Sequence, residues 1–167
     1  MSYEVAMTTL QWSTHLEIDG DEGTIYKDGL DYEPSQELKD RIKKDWDSFI
    51  NQALEMGFDP DNDITNYGDY YEYDVWDLAA HDFILTRNGH GAGFWDGDWN
   101  EPIATKLTDL CKKFGEIEVY LSDNNLLEAL WTSLQSIVIQ EQVNGANVFF
   151  ALIAAINLLF ITFHGVL

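Results

Sequence analysis

Two histidines, an arginine and three aspartates fall between His81 and Asp98. Near neutral pH a histidine can serve as general base or metal ligand, a carboxylate can orient it, and an arginine can clamp an anionic group. His81, Asp82, Arg87, His90, Asp96 and Asp98 are therefore the residues through which this chain would act as a small hydrolase or lyase. No nucleophile accompanies them and spacing fixes no third metal ligand, so neither a metal nor a cofactor is expected. The competing reading is structural: His81 caps a helix or packs, His90 decorates a turn, and Arg87 neutralises neighbouring aspartates.

The same stretch carries the strongest turn signal in the chain. Asn88-Gly89 suits a type I′ turn, whose central residues both need positive φ, and Phe83 to Thr86 would then form one strand of a hairpin. Gly89, Gly91 and Gly93 alternate, which lets another group approach that backbone closely. Spacing alone does not license a phosphate loop, because no Gly-Lys-Ser/Thr ending follows; a structural glycine-rich hairpin and a ligand loop are the two readings. The candidate binding loop is thus His81, Asp82, Arg87, Asn88, Gly89, His90, Gly91, Gly93, Trp95 and Asp96.

The run His-Asp-Phe-Ile-Leu-Thr-Arg-Asn-Gly-His-Gly-Ala-Gly-Phe-Trp-Asp, residues 81–96, resembles the signature of a family of small acidic proteins of tailed bacteriophages and prophages. Ile84 stands where a larger aromatic is common. The likeness extends more loosely from Thr9 to about Tyr120, through Leu10-Gln-Trp12, the acidic Asp19 to Asp31 segment and the helix after Pro34. It implies a phage accessory protein and a bacterial host, and it assigns no reaction, so no catalytic residue is carried across.

A formal charge of −21 makes the surface hostile to phosphate backbones, so no direct nucleic-acid binding is expected; a basic host protein is the partner such a surface favours. Imitation of nucleic acid would need carboxylates in rows, whereas these are scattered. Cys111 is the sole cysteine and sits among Leu107, Leu110 and Phe114 at helical spacing, as a buried apolar residue would. The first residues lack a basic region followed by an apolar one, so the folded part is expected in the cytoplasm.

The elements that position the loop follow from periodicity. Tyr3 to Ser13 reads as a first strand and Asp19 to Asp31 as a loop or second hairpin. After Pro34, Leu38, Ile42, Trp46, Phe49, Ile50, Ala53 and Leu54 form one helical face ending near Gly57, with Glu37–Arg41 and Asp40–Lys44 pairs on its wet side. Asp59, Asp61 and Asp63 imitate the start of a calcium loop, but Ile64 and Tyr70 stand where glycine and glutamate belong, so an acidic turn is expected. The acidic, aromatic run from Tyr67 to Tyr73 has the composition of an interaction surface. Trp76, Ala79, Ala80 and Phe83 predict a short helix, Ile103 to Phe114 another closed by Gly115, and Glu116 to Leu121 a strand.

Beyond Lys113 the chain has no further lysine or arginine. Leu127, Leu130, Trp131, Leu134 and Val138 read as an amphipathic helix, and Val148 to Leu167 are twenty uncharged residues, a length that matches the hydrocarbon core. The last run reads as a membrane tail holding the domain at the inner membrane of a bacterial host; a core helix or an oligomer interface is the competing assignment. The expected organisation is an acidic α+β domain over 1–122, a small sheet and hairpin packed by amphipathic helices. A connector over 123–145 and a hydrophobic helix over 146–167 follow it. The expected function is non-catalytic binding of a host component, with a hydrolase or lyase and an acidic DNA mimic as alternatives.

Overall fold

The computed structural model describes residues 2–20, 23–65 and 74–130. Its elements run α1 (Ser2–Trp12), β1 (His15–Gly20), β2 (Gly23–Asp28), a 3-10 turn (Gly29–Asp31), β3 (Glu33–Pro34), α2 (Gln36–Glu55), α3 (Pro60–Asp63), α4 (Val75–Arg87), α5 (Ile103–Phe114), β4 (Val119–Leu121) and β5 (Leu126–Ala129). All belong to the first of the two units into which the chain divides, Met1–Leu130. Among the described residues the fold is α+β, with five α-helices and two small sheets.

α4 is the central helix. Ala79, Ala80, Phe83, Ile84, Leu85, Thr86 and Arg87 are all buried, so it is covered almost all round by α1, α5 and the segment that follows it. That burial corrects the expected hairpin: Phe83 to Thr86 is helix, because a short continuous apolar run fits a buried helix as well as a strand. Asn88-Gly89 closes this helix instead of turning a hairpin. Gly89 takes φ +67°, its N–H donates to Thr86 O and the His90 N–H donates to Leu85 O at 2.9 Å, the paired bonds of a Schellman cap.

The expected first strand is also a helix. Ala6, Met7, Thr9 and Leu10 of α1 are buried at three- and four-residue spacing, so the tertiary contact with α4 overrides the β-branched and aromatic composition. Thr14 Oγ1 donates to Leu10 O at 2.7 Å at its end, and Gly29 packs on the Gln11 carbonyl so closely that a Cβ there would collide with it.

β1 and β2 form the antiparallel hairpin that was one reading of the acidic segment, from His15 opposite Asp28 to Gly20 opposite Gly23. α2 begins at the Ser35 cap, whose Oγ accepts from the Leu38 N–H, and buries Leu38, Ile42, Trp46, Phe49 and Ala53. Its Arg41 pairs with Asp45 and its Lys43 with Asp47. Phe49 lies at the centre of the aromatic core, 4.7 Å from Phe83 and 5.6 Å from Phe94 between ring centroids. The Asp59 to Asp63 stretch is an acidic turn closed on itself: Asp63 Oδ2 accepts from the Asp59 N–H and Asp59 Oδ2 from the Asn62 amide.

The second sheet has the order β3-β5-β4, with β3 parallel and β4 antiparallel to β5. β5 corrects the start of the expected amphipathic helix: Leu127 and Ala129 are core residues on the central strand of this sheet. The unit therefore runs to Leu130, past the expected boundary at 122. No helix among the described residues is long and apolar enough to cross a membrane. The run 148–167, the rest of the expected amphipathic helix from Trp131 onward and the aromatic run 67–73 lie outside the described residues.

Candidate functional site

α1 and α4 pack against each other, and the loop after α4 returns across one end of the pair. Between them opens a cavity of about 600 Å³. α1 contributes Glu4, Val5, Thr8, Thr9 and Trp12; α4 contributes Asp77, Leu78, His81 and Asp82; the loop contributes Ala92, Asp96, Asp98 and Trp99. Ile64 completes the wall, held there by its bridge to Trp99.

Two features orient His81. Its Nδ1 lies 2.9 Å from Asp82 Oδ1, and its ring stacks on Trp12, centroids 5.9 Å apart and planes inclined by 24°. Asp82 is itself held, because the Trp99 Nε1–H donates to its Oδ2 at 2.6 Å. Burial raises the Asp82 pKa above the ordinary carboxylate value, while the bonds from His81 and Trp99 pull it back. As a carboxylate Asp82 has no proton to give, so Nδ1 carries one and, in the neutral ring, Nε2 is the acceptor. A buried, doubly bonded carboxylate thus sets the tautomer of a half-exposed histidine at the cavity wall.

The rest of the candidate loop divides sharply. Asp96 also lines the cavity, its carboxylate accepting from the Gly93 N–H at 3.1 Å. Arg87 does not. Its side chain is fully buried, with Nε donating to Gly115 O, Nη2 to Phe114 O and Nη1 to Asp45 Oδ2, over the rings of Phe83 and Phe114. It is a structural cross-brace, which corrects its assignment as a surface group able to clamp an anion. Asn88 pairs its side-chain amide with the backbone of Ile117, Oδ1 accepting at 3.0 Å and Nδ2 donating at 3.4 Å.

Gly89 serves the helix cap, and the His90 N–H completes it. Gly93 lies against Thr86, where a Cβ would strike Oγ1, and the same Oγ1 accepts from the Phe94 N–H. Gly91 has open space around it, and Trp95 is exposed. Neither these two nor His90 lines the cavity. Gly93 thus brings the loop onto its own helix, and Arg87 pairs with Asp45 in the core rather than with neighbouring aspartates.

Sequence reasoning missed Trp12, Trp99, Asp77 and the α1 face. One signal was present: Glu4, Thr8 and Trp12 recur every four residues, as do Asp77 and His81, and both sets are one face of a helix. Reading α1 as a strand hid the first set. Comparison with protein families, with curated proteins and with solved structures finds no match to this chain.

Proposed function

We propose that this chain is a non-catalytic binding protein that engages a basic partner, with the cavity between α1 and α4 as its anchoring site. One observation carries the reading: the charged residues lining the cavity, Glu4, Asp77, Asp82, Asp96 and Asp98, are all acidic, and among the described residues no lysine or arginine lines it. The overall charge of −21 extends the same sign over the surface and favours encounter with a positively charged partner. The resemblance of residues 81–96 to the phage signature supports a component of a bacterial host as that partner. The uncharged run 148–167 supports a tether to the inner membrane, read out by fractionation of the full-length chain with and without that run.

The His81–Asp82 pair is also the arrangement of a general base with its orienting carboxylate, which is the hydrolase reading. Attack on a carbonyl or phosphoryl centre builds negative charge, and the surrounding carboxylates oppose it. Holding a cation requires no such development, so binding is the reading the walls favour.

The test is capture of host proteins by immobilised full-length chain, wild type against the double variant Asp77→Asn/Asp96→Asn, at low and high salt. Retention of basic proteins, weakened by the variant and by salt, supports the reading. Retention indifferent to the variant would reject the cavity as the anchor, and a salt dependence unchanged by the variant would fit charge mimicry spread over the whole surface.

A further inference from the structure

We infer that the cavity between α1 and α4 is a site for a small organic cation, a molecule that presents N–H donors to His81 Nε2 and lays an apolar body along Trp12 and Trp99. The inference rests on reading this cavity as a cation-binding site and adds the chemistry of its occupant.

Size is the first argument. About 600 Å³ lies inside the range of roughly 300–1,000 Å³ in which whole small ligands are held, well beyond the space one lysine side chain fills. The walls are the second. Val5, Leu78, Ala92 and the two indoles give the cavity an apolar, aromatic lining, so the ligand body is hydrophobic.

The supply of hydrogen-bond partners selects the charge of the ligand. The Trp99 N–H, a donor at the wall, is committed to Asp82 at 2.6 Å. The His81 Nδ1–H is committed to the same carboxylate at 2.9 Å. In the neutral imidazole Nε2 is then an acceptor, and the rim carboxylates of Asp77 and Asp96 are acceptors too. Apart from the hydroxyls of Thr8 and Thr9 and the indole N–H of Trp12, the polar side chains at this cavity that are not already committed are acceptors, so acceptors outnumber donors and a ligand rich in donors is favoured. An ammonium or guanidinium brings such donors, and the half-exposed ring of Trp12 at the wall adds attraction for the same charge. A carboxylate or phosphate on the ligand would face mostly acceptors and negative charge, which disfavours anions and zwitterions.

The test uses the full-length chain and three probes of one shape: tryptamine, its neutral isostere 3-ethylindole, and indole-3-propionate. Calorimetric titration should show tryptamine bound about tenfold or more tightly than the neutral probe, and the anion not bound, since a charge-assisted hydrogen bond is at stake. His81→Phe keeps a ring on Trp12 and removes Nε2, and should bring tryptamine down to the affinity of the neutral probe. Equal binding of cation and neutral isostere, or tight binding of the anion, would overturn the assignment whether or not the variant folds. A lysine-rich peptide separates this inference from the function proposed above. Peptide bound and amines not bound rejects the small-molecule site and leaves the basic partner standing. Amines bound while basic host proteins are not supports the small-molecule site and rejects that partner.

Discussion

Arg87 Nη1 lies 3.1 Å from Asp45 Oδ2, so the last turn of α4 is tied through the core to the middle of α2. Asp45 Oδ2 also receives Arg41 Nε at 2.7 Å, from a side chain that is 20% exposed where that of Arg87 is 0% exposed. Burial lowers the Arg87 pKa, and the attraction of Asp45 opposes that shift. The two arginines therefore differ in consequence. Arg87→Ala leaves Asp45 half-compensated and strips the carbonyls of Phe114 and Gly115 of their donor, at a cost of about 3 kcal/mol or more. Arg41→Ala removes a partly solvated pair and costs about 1 kcal/mol. Urea midpoints of the two variants measure the difference; equal losses would mean that Arg87 is not the brace.

Gly91 and Gly93 make a matched pair for substitution. Gly93 has φ +148° and stands against Thr86 Oγ1, so Gly93→Ala must displace the loop or the helix, at a cost of about 1–3 kcal/mol. Gly91 has nothing within 4 Å of an added Cβ, so Gly91→Ala stays within about 0.5 kcal/mol of wild type. Thermal melts of the two variants check the contrast, and a Gly91 variant as damaged as the Gly93 variant would refute it.

Asp82 makes an acid-range prediction. Its folded pKa is raised, so the folded chain holds that proton more tightly than the unfolded chain does. The resulting stabilisation is full below the unfolded value and is lost as pH rises through the folded one. Asp82→Asn cannot titrate and lacks this term. Its stability relative to wild type should therefore improve as pH rises from about 3 toward neutrality, in the window set by that raised pKa. Denaturation midpoints of both proteins across that range are the measurement; a relative stability that falls with pH would show that the bonds from His81 and Trp99 outweigh burial.

β5 sets where the first unit can be cut. Leu127 is 1% exposed on the strand that pairs with both β3 and β4. A chain ending after Leu130 should keep dispersed amide resonances. One ending after Ser122 loses the central strand and should not. Leu127→Ala in the longer chain should cost about 2–5 kcal/mol. A well-folded 1–122 fragment would show that the second sheet is dispensable.

Amphipathic period is a local property of the chain. It therefore determined α2 and α5, their Gly57 and Gly115 ends, and the burial of Cys111, whose thiol pKa burial pushes up. The preference of Gly89 for positive φ was equally local and marked the end of a regular element, although Asn88 stands at φ −92° and no type I′ turn forms. Whether that element is a strand or a helix depends on what covers its residues. The spacing of Trp76, Ala79, Ala80 and Phe83 made the first half of α4 legible, but Phe83 to Arg87 are all buried, so the second half has no polar face from which a helical period could be read. α1 was misread for a related reason, its helical face being defined by contact with α4. The adjacency of His81 and Asp82 is plain in the sequence. The indoles that stack on one and bond the other come from positions 12 and 99, and the partner of Arg87 stands 42 residues away. A residue's charge and shape are written in the chain, but whether it becomes a cavity wall or a buried brace depends on which distant side chain it meets, and only packing brings those side chains together.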